Sequence, residues 1–140
     1  MKKLNTIKEI QVKNNQKIES RGADLFIFEN LNFLFNIKRI FTINNNNILE
    51  SRGSHANKSN DQIISCVSGK VNLLLKDGID EKSIDLFDSN LLVYVPRHIW
   101  GETNFIEKNS ILVCYSSENY KEESYIRDYD EFMRFRKGES

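Results

Sequence analysis

Apolar residues come mostly in short runs in which every second position is apolar, the period-2 signature of strands with one buried face. Leu25–Phe28, Gln62–Val67, Val71–Lys76, Ile84–Phe87, Leu91–Val95, Ile99–Phe105 and Ser110–Ser116 each read as a strand. Ile37 to Ile43 is another, with Ile37, Arg39, Phe41 and Ile43 on one face, so that Arg39 either sits at a strand end in water or faces an anion. Residues 1–20, with Ile7, Ile10, Val12 and Ile18 among polar residues, predict one or two extended strands with a turn at Asn14-Asn15. Turn signals fall between the runs: Arg21-Gly22, Ser68-Gly69, Asp77-Gly78 and Asp88-Ser89-Asn90. Pro96, the only proline, closes a strand. Many short strands at regular spacing predict an all-β sandwich or barrel.

The tail changes period. Tyr125, Ile126, Tyr129, Phe132 and Met133 fall on one face of a helix, so a short C-terminal α-helix is expected near 125–135. Ser124 is placed to cap it and Gly138 to stop it. Its aromatic stripe should pack over the barrel.

Length, charge and cysteine content narrow this picture. The chain has 140 residues, which suits one domain spanning 1–140. Its net formal charge is zero, so neither nucleic acid nor an anionic membrane is an expected partner. No apolar run approaches a membrane span, and no apolar segment follows the charged Met1-Lys2-Lys3 start as in a signal peptide. Cys66 and Cys114 lie in apolar runs and read as buried free thiols of a cytoplasmic protein.

The chemistry concentrates in Arg52-Gly53-Ser54-His55-Ala56-Asn57-Lys58, which packs a histidine, two cations and an amide into seven residues. Such a stretch is either a solvated loop or a site for an anionic ligand that exchanges a proton. Its neighbours extend the pattern. In order come Arg21-Gly22, Glu29, Lys38-Arg39, the central stretch, Gln62, Gly69, Asp77-Gly78, Trp100-x-Glu102 and Tyr120-x-Glu-x-x-Tyr125-Ile126-Arg127-x-Tyr129-x-x-Phe132. These residues resemble the nucleotide-sugar 3,4-ketoisomerases of the cupin superfamily, from about residue 7 to residue 135.

The resemblance implies a cupin jelly roll, or double-stranded β-helix, in a homodimer with exchanged N-terminal strands. It implies a metal-independent isomerase without cofactor that moves the carbonyl of dTDP-4-keto-6-deoxyglucose from C4 to C3. The product would serve biosynthesis of a 3-amino-3,6-dideoxyhexose for surface polysaccharide. Two positions depart from the family pattern. His55-Ala56-Asn57 stands where the family reads His-Ala-His, and Ile40-Phe41-Thr42 where it carries tyrosine after the Lys-Arg pair.

On this reading His55 is the base, since a group titrating near neutral pH suits removal of the C3 proton. Asn57, two residues on, shares its face if the stretch is extended, and offers an amide to a sugar hydroxyl or to the developing oxyanion. Arg39 and Arg52 suit the diphosphate, because planar guanidinium groups bind phosphate bidentately. Arg21, Lys58, Gln62, Trp100 and Glu102 complete the expected substrate-binding set; Glu102 either orients His55 or a hydroxyl, or is a rim carboxylate. His98 is the candidate second acid or base, though a histidine near a strand edge more often faces solvent. With the His-x-His pair broken, no metal site is expected. The competing reading is a non-catalytic sugar-nucleotide binding or sensor cupin.

Overall fold

The computed structural model describes residues 3–45 and 51–138; the side chains at 33 and 51–53 lie outside that description. Two five-stranded antiparallel sheets face each other. The first orders β1 (Gln11–Asn14), β9 (Leu91–Val95), β6 (Gln62–Ser68), β11 (Ile111–Ser116) and β4 (Arg39–Asn44). The second orders β12 (Tyr125–Ile126), β5 (Ser51–Asn57), β10 (Trp100–Phe105), β7 (Lys70–Lys76) and β8 (Glu81–Phe87). From β4 to β11 the chain alternates between sheets except at the β7–β8 hairpin, as in a jelly roll. This is the expected cupin architecture.

The alternation read from the sequence becomes the core. In β7, Val71, Leu73 and Leu75 are buried while the intervening residues are half-exposed. They meet Cys66, Leu86, Val93 and Leu112 between the sheets. Burying each such side chain contributes roughly 1.5–3 kcal/mol. The β6–β7 turn needs glycine on two counts: Gly69 has φ +83°, and an added Cβ would lie 2.2 Å from Ser110 Oγ.

The tail is shorter and starts later than its period predicts. The helix, α1, spans Tyr129–Arg136 and is capped by Asp128, whose carboxylate accepts from Glu131 N at 2.9 Å, not by Ser124. Tyr125 and Ile126 instead form β12, paired with Asn57 and Ala56 at the edge of β5. That free edge supplied the backbone partners. Extended pairing also separates the two side chains: Ile126 joins Ala56, Trp100 and Phe132 in a cluster beneath α1, while Tyr125 turns to the other face.

The N-terminal segment divides as expected at Asn14-Asn15. β1 joins the first sheet, and β2 (Gln16–Ser20) pairs with β3 (Ala23–Ile27) in a separate two-stranded hairpin. Arg21 and Gly22 form its tip with φ of 52° and 76°, the left-handed pair of a tight hairpin turn. Ile18 is 42 % and Leu25 56 % exposed on this hairpin.

Candidate active site between the sheets

β5 carries the central stretch as a strand, so it is not a solvated loop. Extended geometry puts His55 and Asn57 on one face, and both line a cleft between the sheets with an empty volume of about 610 Å³, its open mouth included. Its wall is mostly apolar, with Phe41, Ile64, Leu75 and Leu112 among the lining residues, and Gln62 and Thr103 add further polar side chains. An apolar pocket with a few fixed polar groups is the usual form of a small-molecule site.

The strand end bearing these groups is tied down. Asn60 Oδ1, in the β5–β6 turn, accepts from Ser117 N, Ser117 Oγ and Glu118 N at 3.1–3.2 Å. Asp61 accepts from Arg97 N at 2.8 Å and from its guanidinium at 3.1 and 3.2 Å. Both clamps join the turn between Asn57 and Gln62 to neighbouring loops, which holds the polar end of the cleft in register. Opposite His55 on β10 stands Gly101, whose missing side chain leaves room beside the imidazole; a Cβ there would meet only Leu75 Cδ2, at 3.4 Å.

The mouth is built by residues from β4 and the tail. Arg39 is half-buried at the start of β4, where strand-end placement and an inward-facing side chain coincide. Its guanidinium lies over the Phe41 ring at 5.1 Å and the Tyr120 ring at 5.8 Å, and Nη2 donates to Tyr125 Oη at 3.5 Å. Among the described residues no carboxylate forms an ion pair with it. Arg39 Nε, Asn57 Oδ1 and Ser116 Oγ are buried without hydrogen-bond partners. Ser116 pairs in register with both Arg39 and Gln62, so these polar groups gather at one end of the cleft. Unsatisfied buried polar atoms each cost about 1–3 kcal/mol, and clustered ones mark where a polar ligand binds.

Trp100, Glu102, His98 and Arg21 are placed elsewhere. Trp100 is buried between β5 and α1, its ring against Tyr129 and Phe132, because its face of β10 points away from the cleft. Glu102 contributes to the cleft lining, but its carboxylate lies on that same outer face, where it accepts from Trp100 Nε1 at 3.1 Å and pairs with Lys76 at 3.4 Å. It therefore neither orients His55 nor sits free on the rim. His98 is 3 % exposed, not solvent-facing. Its Nδ1 accepts from Asn5 N at 3.1 Å and its ring packs on Phe135, which directs it toward the N-terminal segment and α1 and away from the cleft. Lys58 is exposed, and its backbone N–H donates to Ser124 O at 2.8 Å. Arg21 is exposed on the hairpin tip, outside this chain's own cleft. Arg52 lies in β5, with its side chain outside the described residues.

Tyr125 was not among the sequence candidates. It pairs with Asn57 across β5 and β12, which puts both side chains on the cleft face, and its ring meets the His55 ring edge-on at 5.0 Å. The signal in the sequence was the Tyr120-to-Tyr129 aromatic spacing, which a helical reading assigns to packing. Cys114 also lines the cleft, but burial pushes its thiol up to about 12, so it moves no proton at neutral pH. Among the described residues no three His, Cys, Asp or Glu side chains converge on a point.

A family model described as "FdtA: WxcM-like, C-terminal" matches residues 5–137. A curated relative from Aneurinibacillus thermoaerophilus, TDP-4-oxo-6-deoxy-alpha-D-glucose-3,4-oxoisomerase, is 34 % identical over 128 residues, which cover 91 % of this chain and 92 % of that one. A 3,4-ketoisomerase from Helicobacter canadensis superposes with a TM-score of 0.84 at 32 % identity, over 92 % of this chain and 98 % of its own. QdtA, a sugar 3,4-ketoisomerase from Thermoanaerobacterium thermosaccharolyticum in complex with TDP, gives 0.83 at 28 % identity, over 92 % and 95 %.

Proposed function

The chain belongs to the FdtA (WxcM-like, C-terminal) family, and from that footing we propose that it converts dTDP-4-keto-6-deoxy-D-glucose to a dTDP-3-keto-6-deoxyhexose. The observation that carries this reading is the shared cleft face of His55, Asn57 and Gln62, with Arg39 at the mouth in no ion pair with a carboxylate among the described residues. His55 removes the C3 proton and returns it at C4 of the enediol. Asn57 Oδ1, an unmet acceptor, takes a sugar hydroxyl rather than an oxyanion. Arg39 meets the diphosphate, and Arg52 and Lys58 on β5 and its following turn add positive charge to it. The product feeds a 3-aminotransferase that makes a 3-amino-3,6-dideoxyhexose for surface polysaccharide. The buried free thiols, Cys66 and Cys114, suit a cytoplasmic site for this chemistry.

Incubating the protein with dTDP-4-keto-6-deoxyglucose and a 3-aminotransferase should give the 3-amino sugar, with deuterium entering the sugar when the reaction runs in D2O. Tight dTDP binding with neither amino product nor exchange would reject the isomerase in favour of the binding or sensor cupin.

The active unit is a homodimer that exchanges the β2–β3 hairpins. A lone two-stranded hairpin is marginal in water, and the apolar Ile18 and Leu25 side chains exposed on this one need a covering surface. Exchange would bring Arg21 at its tip toward the second copy's cleft. Sedimentation should give the mass of a dimer; a particle of 16.4 kDa, the mass of one chain, would reject it.

A further inference from the structure

Ahead of β1, side chains hold the N-terminal segment to the body of the fold. Asp77 Oδ2, after β7, accepts from Ile7 N at 3.0 Å. Arg136 Nη1, at the end of α1, donates to Asn5 O and, at 3.2 Å, to His98 O. The Asn5 side-chain amide donates to Arg97 O at 3.1 Å, and the Asn5 backbone N–H donates to His98 Nδ1 at 3.1 Å. His98 also reaches inward, because its own backbone N–H donates to Asn57 O at 2.8 Å. One buried residue thus grips both the N-terminal segment and the strand that carries the cleft. Its φ of 79° is a left-handed conformation that a ring-bearing side chain keeps where its surroundings hold it.

We propose that His98 is a pH-sensitive latch: the neutral ring holds the N-terminal segment through Asn5, and the protonated ring releases it. Nδ1 accepts the Asn5 N–H only while it carries no proton of its own. A proton there would aim one N–H at another. It would also add a cation at a buried position where the Arg136 guanidinium already lies against His98 O. The charged groups around the latch are Arg136 from α1, Asp77 after β7, Glu9 in the N-terminal segment and Arg97 beside it, whose guanidinium is turned to Asp61. From β5 comes the uncharged Asn57 carbonyl. Asp77 stays ionised in mild acid: burial works against its charge, but the N–H groups of Asp80, Ile7 and Ile79 outweigh that and hold the carboxyl below its usual range. Arginine does not titrate, and histidine is the side chain whose ordinary range lies in this window. The latch is therefore whole above that range and is lost as the pH falls through it. A released ring titrates near ~6.5, so one unit below that value release is favoured about 10-fold. The segment continues into β1 and the β2–β3 hairpin, so the latch sets how firmly that whole arm is seated.

Amide exchange followed by NMR reads the latch directly, expressed as a protection factor so that the intrinsic pH dependence drops out. From about pH 7.5 to about pH 5.5 the protection of Asn5 should fall about 10-fold, while that of Leu73 in the core stays within about twofold. His98→Asn supplies the control. Asparagine places an Oδ1 acceptor near the site of Nδ1, tolerates a positive φ and does not titrate, so its Asn5 protection should be the same at both pH values. Unchanged protection in the wild type, or the same 10-fold loss in His98→Asn, would overturn the latch. Should the variant fold poorly, the wild-type ring decides: His98 ring nitrogens that titrate with the midpoint of the Asn5 loss support the assignment, and a different midpoint rejects it.

Discussion

His55→Asn should lose at least about 10²-fold in exchange at C3, the lower end of what a general base contributes, and keep its affinity for dTDP. Asparagine is polar, fills part of the imidazole's volume and cannot accept a proton at neutral pH. The fold should survive, because His55 is half-buried on the cleft face and faces Gly101 across β10, not a packed side chain. The core beneath it, from Leu73 to Leu112, is untouched. Exchange is read by mass spectrometry of the sugar after incubation in D2O, and binding by titration calorimetry. Near-normal exchange in the variant would remove His55 from the chemistry.

Arg39→Ala should weaken dTDP binding about 10- to 150-fold, which is the roughly 1.5–3 kcal/mol of a hydrogen bond to a charged group. The guanidinium is half-buried among Phe41, Tyr120 and Tyr125, where solvent screens it less than a surface cation. Wild-type affinity should fall as salt is raised, and the variant's should fall less. Truncating the side chain also removes packing, so the melting temperature is measured alongside. A dissociation constant that does not change would take Arg39 out of the diphosphate site.

Much of the molecule is legible in the sequence because alternation is a local property. Val71, Leu73 and Leu75 alternate with polar or half-exposed neighbours whatever the rest of the chain does, and one face of that strand must be buried. Turns are local as well: Arg21-Gly22, Ser68-Gly69 and Asp77-Gly78 supply the backbone freedom a reversal needs, and each lies between two strands. Given that β5 is a strand, His55 and Asn57 form a same-face pair for the same reason, since residues two apart on a strand point to one face.

The tail shows where local reasoning stops. Tyr125, Ile126, Tyr129, Phe132 and Met133 fit one helical stripe, yet the first two are strand and the rest are helix. The open edge of β5 took Tyr125 and Ile126 by backbone pairing, a competition that no helical period contains.

The sequence by itself determined most of the strands and turns and the alternation of Val71, Leu73 and Leu75, since each depends on neighbours a few residues apart; the common face of His55 and Asn57 followed once β5 proved to be a strand. Only the tertiary structure decided which face of β10 looks into the cleft, and so turned Trp100 and Glu102 outward and left Gly101 beside the imidazole. It also seated His98 against Asn5 and brought Tyr125 and Arg39 to the mouth, 86 positions apart in the chain. Those placements depend on how two sheets and a tail close over one another. That closure is set by backbone pairing and packing between distant segments, which the order of residues within any one segment does not encode.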